Sequence, residues 1–463
     1  MDLMSAVARR PAPKEEAGFL SSISLLKRRA VVVVASVAAP ALLIACEEQS
    51  PVGIGGGPLP GEPVTVEVTI PWSDFASALE VFGGYGSPQD LGQGVLALQY
   101  EGTLDARTLL RFAEYPDTAT VRDSTGTSRP DGDLTFVGGR LVTRFDTIAS
   151  TNGTTPVTLA IGRTETEWDA TTASWDFAID TINDQRPWPE PGGGPVTPVD
   201  TAVWDPAEGD SAVFELDSAT IAAWSDPSDL TSGARIEMID AGHRVRLTGA
   251  TLRLDARPSL NPDTIIQVNA FTSAATFLYT PFPTPPPDGV RIGGAPAWRT
   301  LLDVSIPEVL DGIPELCAVV ECPYTLTPVE ISFAALLLTS RETEAAFQPS
   351  DSIRLDVRPV FDRSAMPKSP LGPSLVEGDL GRPVPPEAFG SAPGQPIEIP
   401  FTTFARDLLR GFDDRGNPAP GTLALLSVFE PFSISFASFE GPGNASEPVL
   451  KLVLTIGPPV ELP

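Results

Sequence analysis

Histidine is nearly missing from this chain of 463 residues, and cysteine is scarce: there is one His and there are three Cys. A lone imidazole removes His-clustered metal sites and leaves a triad hydrolase only His243 as its base. That residue stands in Gly242-His243-Arg244-Val245-Arg246-Leu247, just ahead of an alternating run, where a turn or surface histidine is the expected role. Basic residues are also few, 31 Lys+Arg against 60 Asp+Glu, for a net charge of −29. Such a field repels phosphate backbones and anionic lipid, which argues against nucleic acid as a partner and against a basic membrane-binding face. Long apolar runs are absent but for residues 30–45, a stretch interrupted by Pro40 and shorter than the ~20 residues that span a bilayer.

That one apolar run is the most telling stretch present. Lys27-Arg28-Arg29 precedes it as a positive flank, and it ends in Leu43-Ile44-Ala45-Cys46. The arrangement resembles the lipobox signal peptide of bacterial lipoproteins. The resemblance implies cleavage before Cys46, acyl chains on Cys46, and attachment to the membrane through them, with a location in the cell envelope at the outer membrane or cell surface. Several acyl chains meet the requirement that one alone anchors only marginally. Residues 1–26 make a long lead, so initiation nearer Lys27 is compatible with the reading. Removing residues 1–45 takes six basic and three acidic residues and leaves a net charge of about −32. Glu47 follows the cysteine, and residues 46–63, with Gly53-Ile54-Gly55-Gly56-Gly57-Pro58, read as a flexible tether. In an oxidising compartment Cys317 and Cys322 read as a disulfide closing a small loop, with free thiols or a metal pair as alternatives.

From Val64 onward the pattern is β. Val64-Thr65-Val66-Glu67-Val68-Thr69-Ile70 alternates with period two, as do Val213 to Leu216, Val245 to Leu247, Ile353 to Val357 and Ile397 to Ile399. Fifty prolines and forty glycines punctuate these runs and argue against long helices. The helical candidates are short, Thr220 to Trp224 and Thr402 to Arg410. The chain also repeats itself. Arg107 to Phe112 is echoed by Arg299 to Val304, Phe136 to Arg144 by Phe333 to Arg341, and Val157 to Ile161 by Ile353 to Val357. Phe214 to Leu216 is echoed by Ile397 to Ile399, Gly233 to Met238 by Gly421 to Leu426, and Ala250 to Leu254 by Pro448 to Leu452. The echoes keep one order at nearly one spacing, which marks a duplication. The expected architecture is all-β: two tandem jelly-roll-like antiparallel β-sandwiches, residues 64–258 and a divergent copy at 259–459, meeting near Pro258 to Pro262. Pro/Gly-rich loops at 183–198 and 364–396 fall between the same pair of echoed strands.

The first copy carries further marks. These are Gly83-Gly84-Tyr85-Gly86-Ser87, Arg107 to Phe112, Gly139-Arg140-Leu141, and Thr166-Glu167-Trp168-Asp169 followed by Thr172-Ala173-Ser174-Trp175. After them come Val213 to Trp224 and Ala250 to Leu254. In this order they resemble the DNRLRE-type domains, β-sandwich modules classed with carbohydrate-binding modules of bacterial surface proteins. The second copy lacks the Trp signature after Val357. The resemblance implies a non-catalytic binding role for extracellular polysaccharide, with Trp168, Asp169, Trp175 and Trp188 as ligand-binding candidates. The same indoles are equally suited to fill a core, since aromatics bury large areas; Trp188 and Trp204, beside a Pro/Gly-rich loop, are expected nearer the surface, and Trp224 packed on the sheet. Asp131-Gly132-Asp133 with Asp123 is the only calcium candidate, weakened by the missing bidentate acid and rivalled by a solvated turn. No cofactor besides calcium is implied. Two further roles stand beside glycan binding: a structural spacer, adhesin or envelope-assembly subunit with a protein partner, and a lyase or glycosidase, for which acids abound but no recognisable motif exists.

Overall fold

The computed structural model describes residues 63–457 except 86–87, 89–92, 285, 367–368 and 377–379. The signal-peptide stretch, Cys46 and the tether up to residue 62 lie outside the described residues. The described residues make one compact unit. It is all-β, with short helices, the two longest among the described residues being Ser218–Ala223, capped by the Asp217 carboxylate on the Thr220 amide at 2.8 Å, and Thr402–Arg410, closed by Gly411 at φ 87°. Among the described residues no helix is long and apolar enough to cross a membrane.

Two large antiparallel sheets carry the fold. The first runs in the order Val196–Trp204, Val157–Thr164, Ala234–Met238, Leu104–Phe112, Ile266–Thr280, Arg244–Pro258, Leu134–Asp146, Ser211–Leu216, with Gly94–Tyr100 paired to Leu104–Phe112 and Arg244–Pro258. Its two ends come together, where the Glu215 amide donates to the Asp200 carboxylate at 2.7 Å. The sheet thus wraps around its own core of Leu110, Phe112, Leu159, Trp204, Phe214 and Leu254. Alternation produces this directly: Ala212, Phe214 and Leu216 point inward while Ser211, Val213 and Glu215 face out. The second sheet runs Val64–Ile70, Val449–Ile456, Ile331–Arg341, Phe436–Glu440, Gly289–Gly293, Ala297–Val304, Thr422–Ser427, Ile353–Pro359, Arg382–Val384. Ala76–Tyr85 joins it on Ala297–Val304 and Pro396–Pro400 on Ile331–Arg341. Its core holds Val68, Leu302, Leu336, Leu355, Phe439 and Leu452.

All six echoed segments fall on strands, and they pair alike in both sheets. Thr108 faces Ile236 as Thr300 faces Leu425; Ile161 faces Ile236 as Val357 faces Leu425; Leu141 faces Phe214 as Leu338 faces Ile397. Pairing sets one echo a residue further along than the sequence alignment does, with Ile236 corresponding to Leu425 rather than to Ala424.

The pairing overturns the expected boundary at 258/259. Pro258 to Pro262 is no linker; it begins the turn of a hairpin between Arg244–Pro258 and Ile266–Thr280. The strand Ile266–Thr280, sequentially the opening strand of the second copy, sits in the first sheet, with Val268 opposite Leu254 and Phe277 opposite Thr108. The opening strands of the first copy take the corresponding places in the second sheet, with Val68 opposite Leu452 and Val81 opposite Thr300. The two openings differ by the four-residue helix Trp72–Phe75, which interrupts the earlier one. Each half is therefore completed by the other half's opening segment. Locality accounts for this: a hairpin loop closes at far smaller entropic cost than a connection across the whole copy. Once Ile266–Thr280 fills the slot beside Leu104–Phe112, residues 64–85 are left the equivalent slot in the second sheet.

Where the halves meet, Val95, Phe277 and Tyr279 pack against Phe347, Ile434 and Phe436. Arg244 is buried in this seam, its guanidinium 5.3 Å from the Tyr100 ring centroid and donating to the Ala346 and Gln348 carbonyls at 2.8 Å each. Burial holds its pKa below the usual arginine value. The exchange and this seam predict a single unfolding transition for the described unit. Arg244→Ala, which leaves two buried carbonyls unpaired and a void, is expected to lower stability by about 2–4 kcal/mol in urea denaturation without splitting that transition. Two resolved transitions in calorimetry of the parent protein would contradict the exchanged arrangement.

Candidate functional site

The structure brings the expected ligand residues together, but as a small core rather than as an open platform. Leu109 and Leu278 project from the outer face of the first sheet, and the segment 165–194 folds over them with Trp168 and Trp188 buried and Trp175 half-buried. Arg111 lies 4.4 Å from the Trp168 ring and donates to the Trp168 and Leu230 carbonyls at 3.0 and 2.7 Å; Arg107 lies 5.3 Å from the Trp175 ring and donates to the Gly192 carbonyl at 2.9 Å. Gly192, at φ 84°, allows the close approach, since a Cβ there would meet the Trp175 ring at 2.9 Å. Trp188 donates its indole N–H to the Ser174 carbonyl at 2.9 Å. Asp169 accepts from the Thr171 amide at 2.9 Å and from the Thr171 and Thr172 hydroxyls, closing the turn below. Trp204 is also buried, stacked 4.6 Å from Phe145, against its expected exposure. These indoles seat the segment on the sheet; a sugar ring has no face of Trp168 or Trp188 to stack on.

Two of the three calcium candidates, Asp123 and Asp131, have their carboxylates engaged by protein donors. Asp123 accepts from the Thr125 and Thr127 amides at 2.9 Å and pairs with Arg129 at 3.1 Å. Asp131 accepts from the Leu260 amide at 2.8 Å, the Asp133 amide at 2.9 Å and the Ser259 hydroxyl at 3.0 Å, so it anchors the 259–260 hairpin turn. Asp133 contributes a carbonyl to the Ser259 amide at 3.1 Å. Cys317 and Cys322 are joined as a disulfide, and the cluster they form with Asp311 offers no thiolate to a metal. His243 is half-buried in the turn before Arg244–Pro258.

A concavity lies elsewhere, along the seam. A cleft of about 560 Å³ is walled by Gln93, Ala149 and Arg246 from the first half and by Gly294, 349–354, Ser427, Phe429, Glu430, Phe432, Ser433 and Ser435 from the second. That volume is within the roughly 300–1,000 Å³ of small-molecule sites, and inter-domain seams are favoured places for them. Its walls mix two phenylalanines, Phe429 exposed and Phe432 half-buried, with the Ser350, Ser352, Ser427, Ser433 and Ser435 hydroxyls. Arg246 lies 3.8 Å from Asp146, and Arg354 donates to the Leu380 carbonyl at 3.3 Å. Glu430 has a 7% exposed side chain and is held by Arg299 at 2.6 Å; burial pushes its pKa up against the pull of that guanidinium. Three cleft residues each keep a buried polar atom with no partner: Gln93 Oε1, Arg246 Nε and Glu430 Oε2. Sequence reasoning did not single out any of these residues. The Ser/Phe-rich run 427–435 was a visible signal, but nothing in it told of the meeting with Gln93 and Arg246.

No family model matches the chain, and no curated protein matches it either.

Two predictions separate fold-building groups from ligand-binding ones. Trp168→Ala is expected to cost about 3–5 kcal/mol of stability as a core truncation, measured by denaturant midpoint, whereas a platform residue would change it little. The Leu260 and Asp133 amides hold the Asp131 pKa below the usual aspartate range, with burial opposing. A depressed carboxyl contributes stability fully above its unfolded pKa and loses it as pH falls through the folded one. Asp131→Asn should therefore be less stable than the parent at neutral pH, with the gap closing in acid; a gap that persists unchanged down to acid pH would refute the assignment.

Proposed function

We propose that the mature protein is a lipid-anchored protein of the cell envelope, displayed at the outer membrane or cell surface, that binds extracellular polysaccharide without cleaving it. The anchor rests on the lipobox-like run ending at Cys46, and the glycan on the resemblance of the first copy to DNRLRE-type domains. The observation that carries the binding reading is the seam cleft, with aromatic rings, hydroxyls, guanidinium groups and carboxylates on one concave wall. The binding surface is thereby moved from the Trp168, Trp175 and Trp188 cluster to the seam. A spacer or envelope-assembly role with a protein partner is the competing reading, favoured by the exchange of strands between the two sheets. The raised pKa of Glu430 would suit a general acid, so hydrolysis belongs in the same test.

Two measurements check the proposal. Metabolic labelling with an acyl-chain probe should mark the parent and not Cys46→Ser, which should leave the membrane fraction; label retained by Cys46→Ser would contradict the anchor. The purified mature protein on a glycan array should bind at least one polysaccharide without releasing reducing ends. Binding to none, alongside stoichiometric capture of one envelope protein, would favour the assembly role; released reducing ends would make it an enzyme.

A further inference from the structure

We propose that Asp311, Cys317 and Cys322 form a redox-gated metal site. It is closed while the two cysteines are joined, and once they are reduced it chelates one soft divalent cation of the zinc class. The three side chains already stand together, with their ligand atoms all within 4.8 Å of one another. Two thiolates on one tetrahedral zinc are about 3.8 Å apart, and a cysteine pair with four residues between is a spacing that zinc accepts. Asp311 and Cys317 are exposed and Cys322 is half-buried, so an ion reaches the cluster directly from solvent.

The disulfide is not what brings these groups together. The lobe 305–330 is held by Ile306, Leu310, Leu316 and Leu326, all buried in the core of the second half. Val309 pairs with Thr325 and Leu310 with Tyr324, and the Leu326 amide donates to the Glu308 carbonyl at 2.8 Å. The Cys317 amide donates to the Ile313 carbonyl at 2.9 Å, which fixes the short helix Pro314–Cys317. A bridge across so short a loop restrains the unfolded chain little, so reduction leaves the two thiols side by side on a folded lobe. The Gly312 amide donates to one Asp311 carboxylate oxygen at 2.8 Å and orients that side chain. Charge works in the same direction. Residues 305–340 hold no Lys or Arg against Glu308, Asp311, Glu315, Glu321 and Glu330, a field that gathers cations. Opening the site takes two electrons and two protons from a dithiol reductant, which leaves as its own disulfide; the ion then displaces both thiol protons to solvent. Soft thiolate ligands select zinc-class ions over calcium, which the surrounding carboxylates alone would not do.

The test is isothermal titration and ultraviolet absorption of the Cys46→Ser chain, whose only thiols are this pair. Zinc or cadmium ions are added to the oxidised chain, and to the reduced chain after the reductant is removed. The reduced chain should take up one ion, show the thiolate-to-cadmium absorption band, release two protons at neutral pH and bind calcium far more weakly. The oxidised chain should show no such site. Asp311→Asn should weaken binding at least about tenfold and Cys317→Ser should abolish the band, with unfolding midpoints of the reduced chains as the folding control. Equal affinity in the oxidised chain would assign the ion to the acidic surface and overturn the proposal, as would a reduced chain that binds none. Parent-like binding by Asp311→Asn would remove Asp311 from the site.

Discussion

Residues 64–85 and 266–280 do the same structural work in opposite sheets, and the rest of the molecule depends on that exchange. Val66, Val68 and Ile70 are buried against the second sheet's closing strand, as Ala270 is against the first's. Neither half has a complete sheet without a segment the sequence assigns to the other. Strand hydrogen bonds are lost on both sides if either segment leaves, so the halves are expected to gain and lose structure as one. The exchange also fixes the seam: the strand Ile266–Thr280 carries Phe277 and Tyr279 into it, and Gly94–Tyr100, the next strand after residues 64–85, carries Val95 and Tyr100.

The seam is apolar at its centre and charged at selected points. Arg244 has carbonyl partners and an aromatic face instead of a carboxylate, and Arg291 pairs with Glu344 at 2.7 Å while lying 4.1 Å from the Phe436 ring. Buried guanidinium groups are tolerable only when desolvation is met by such contacts. Several arginines hold segments down: Arg111 on Trp168, Arg107 on Trp175, Arg244 across the seam, and Arg291 on Phe436 within the second half. Many of the surplus carboxylates close turns, as at Asp123, Asp131 and Asp169.

Local pattern carried much of the fold. Period-two alternation located strands such as Val64–Ile70 and Val213 to Leu216, and the short helical candidate Thr402 to Arg410 is a helix, ended by Gly411. The collinear echoes landed on strands that pair alike. What alternation cannot encode is which sheet a strand enters, because Val64–Ile70 presents the same buried face to either slot. The site was less legible still. Trp168 and Trp188 looked like ligand residues because sequence shows aromatic spacing but not the Leu109 and Leu278 surface that swallows them. The cleft joins Gln93 to Glu430, residues with no motif between them, and exists only because two sheets dock.

The exchange can be tested directly by cross-linking across a single strand pair. Thr69 lies opposite Lys451 in the second sheet, whereas the equivalent pair in the first sheet is Asn269 and Arg253. Thr69→Cys combined with Lys451→Cys should form an intramolecular disulfide in the folded protein, and Thr69→Cys combined with Arg253→Cys should not. A link between positions 69 and 253, with none between 69 and 451, would contradict the account.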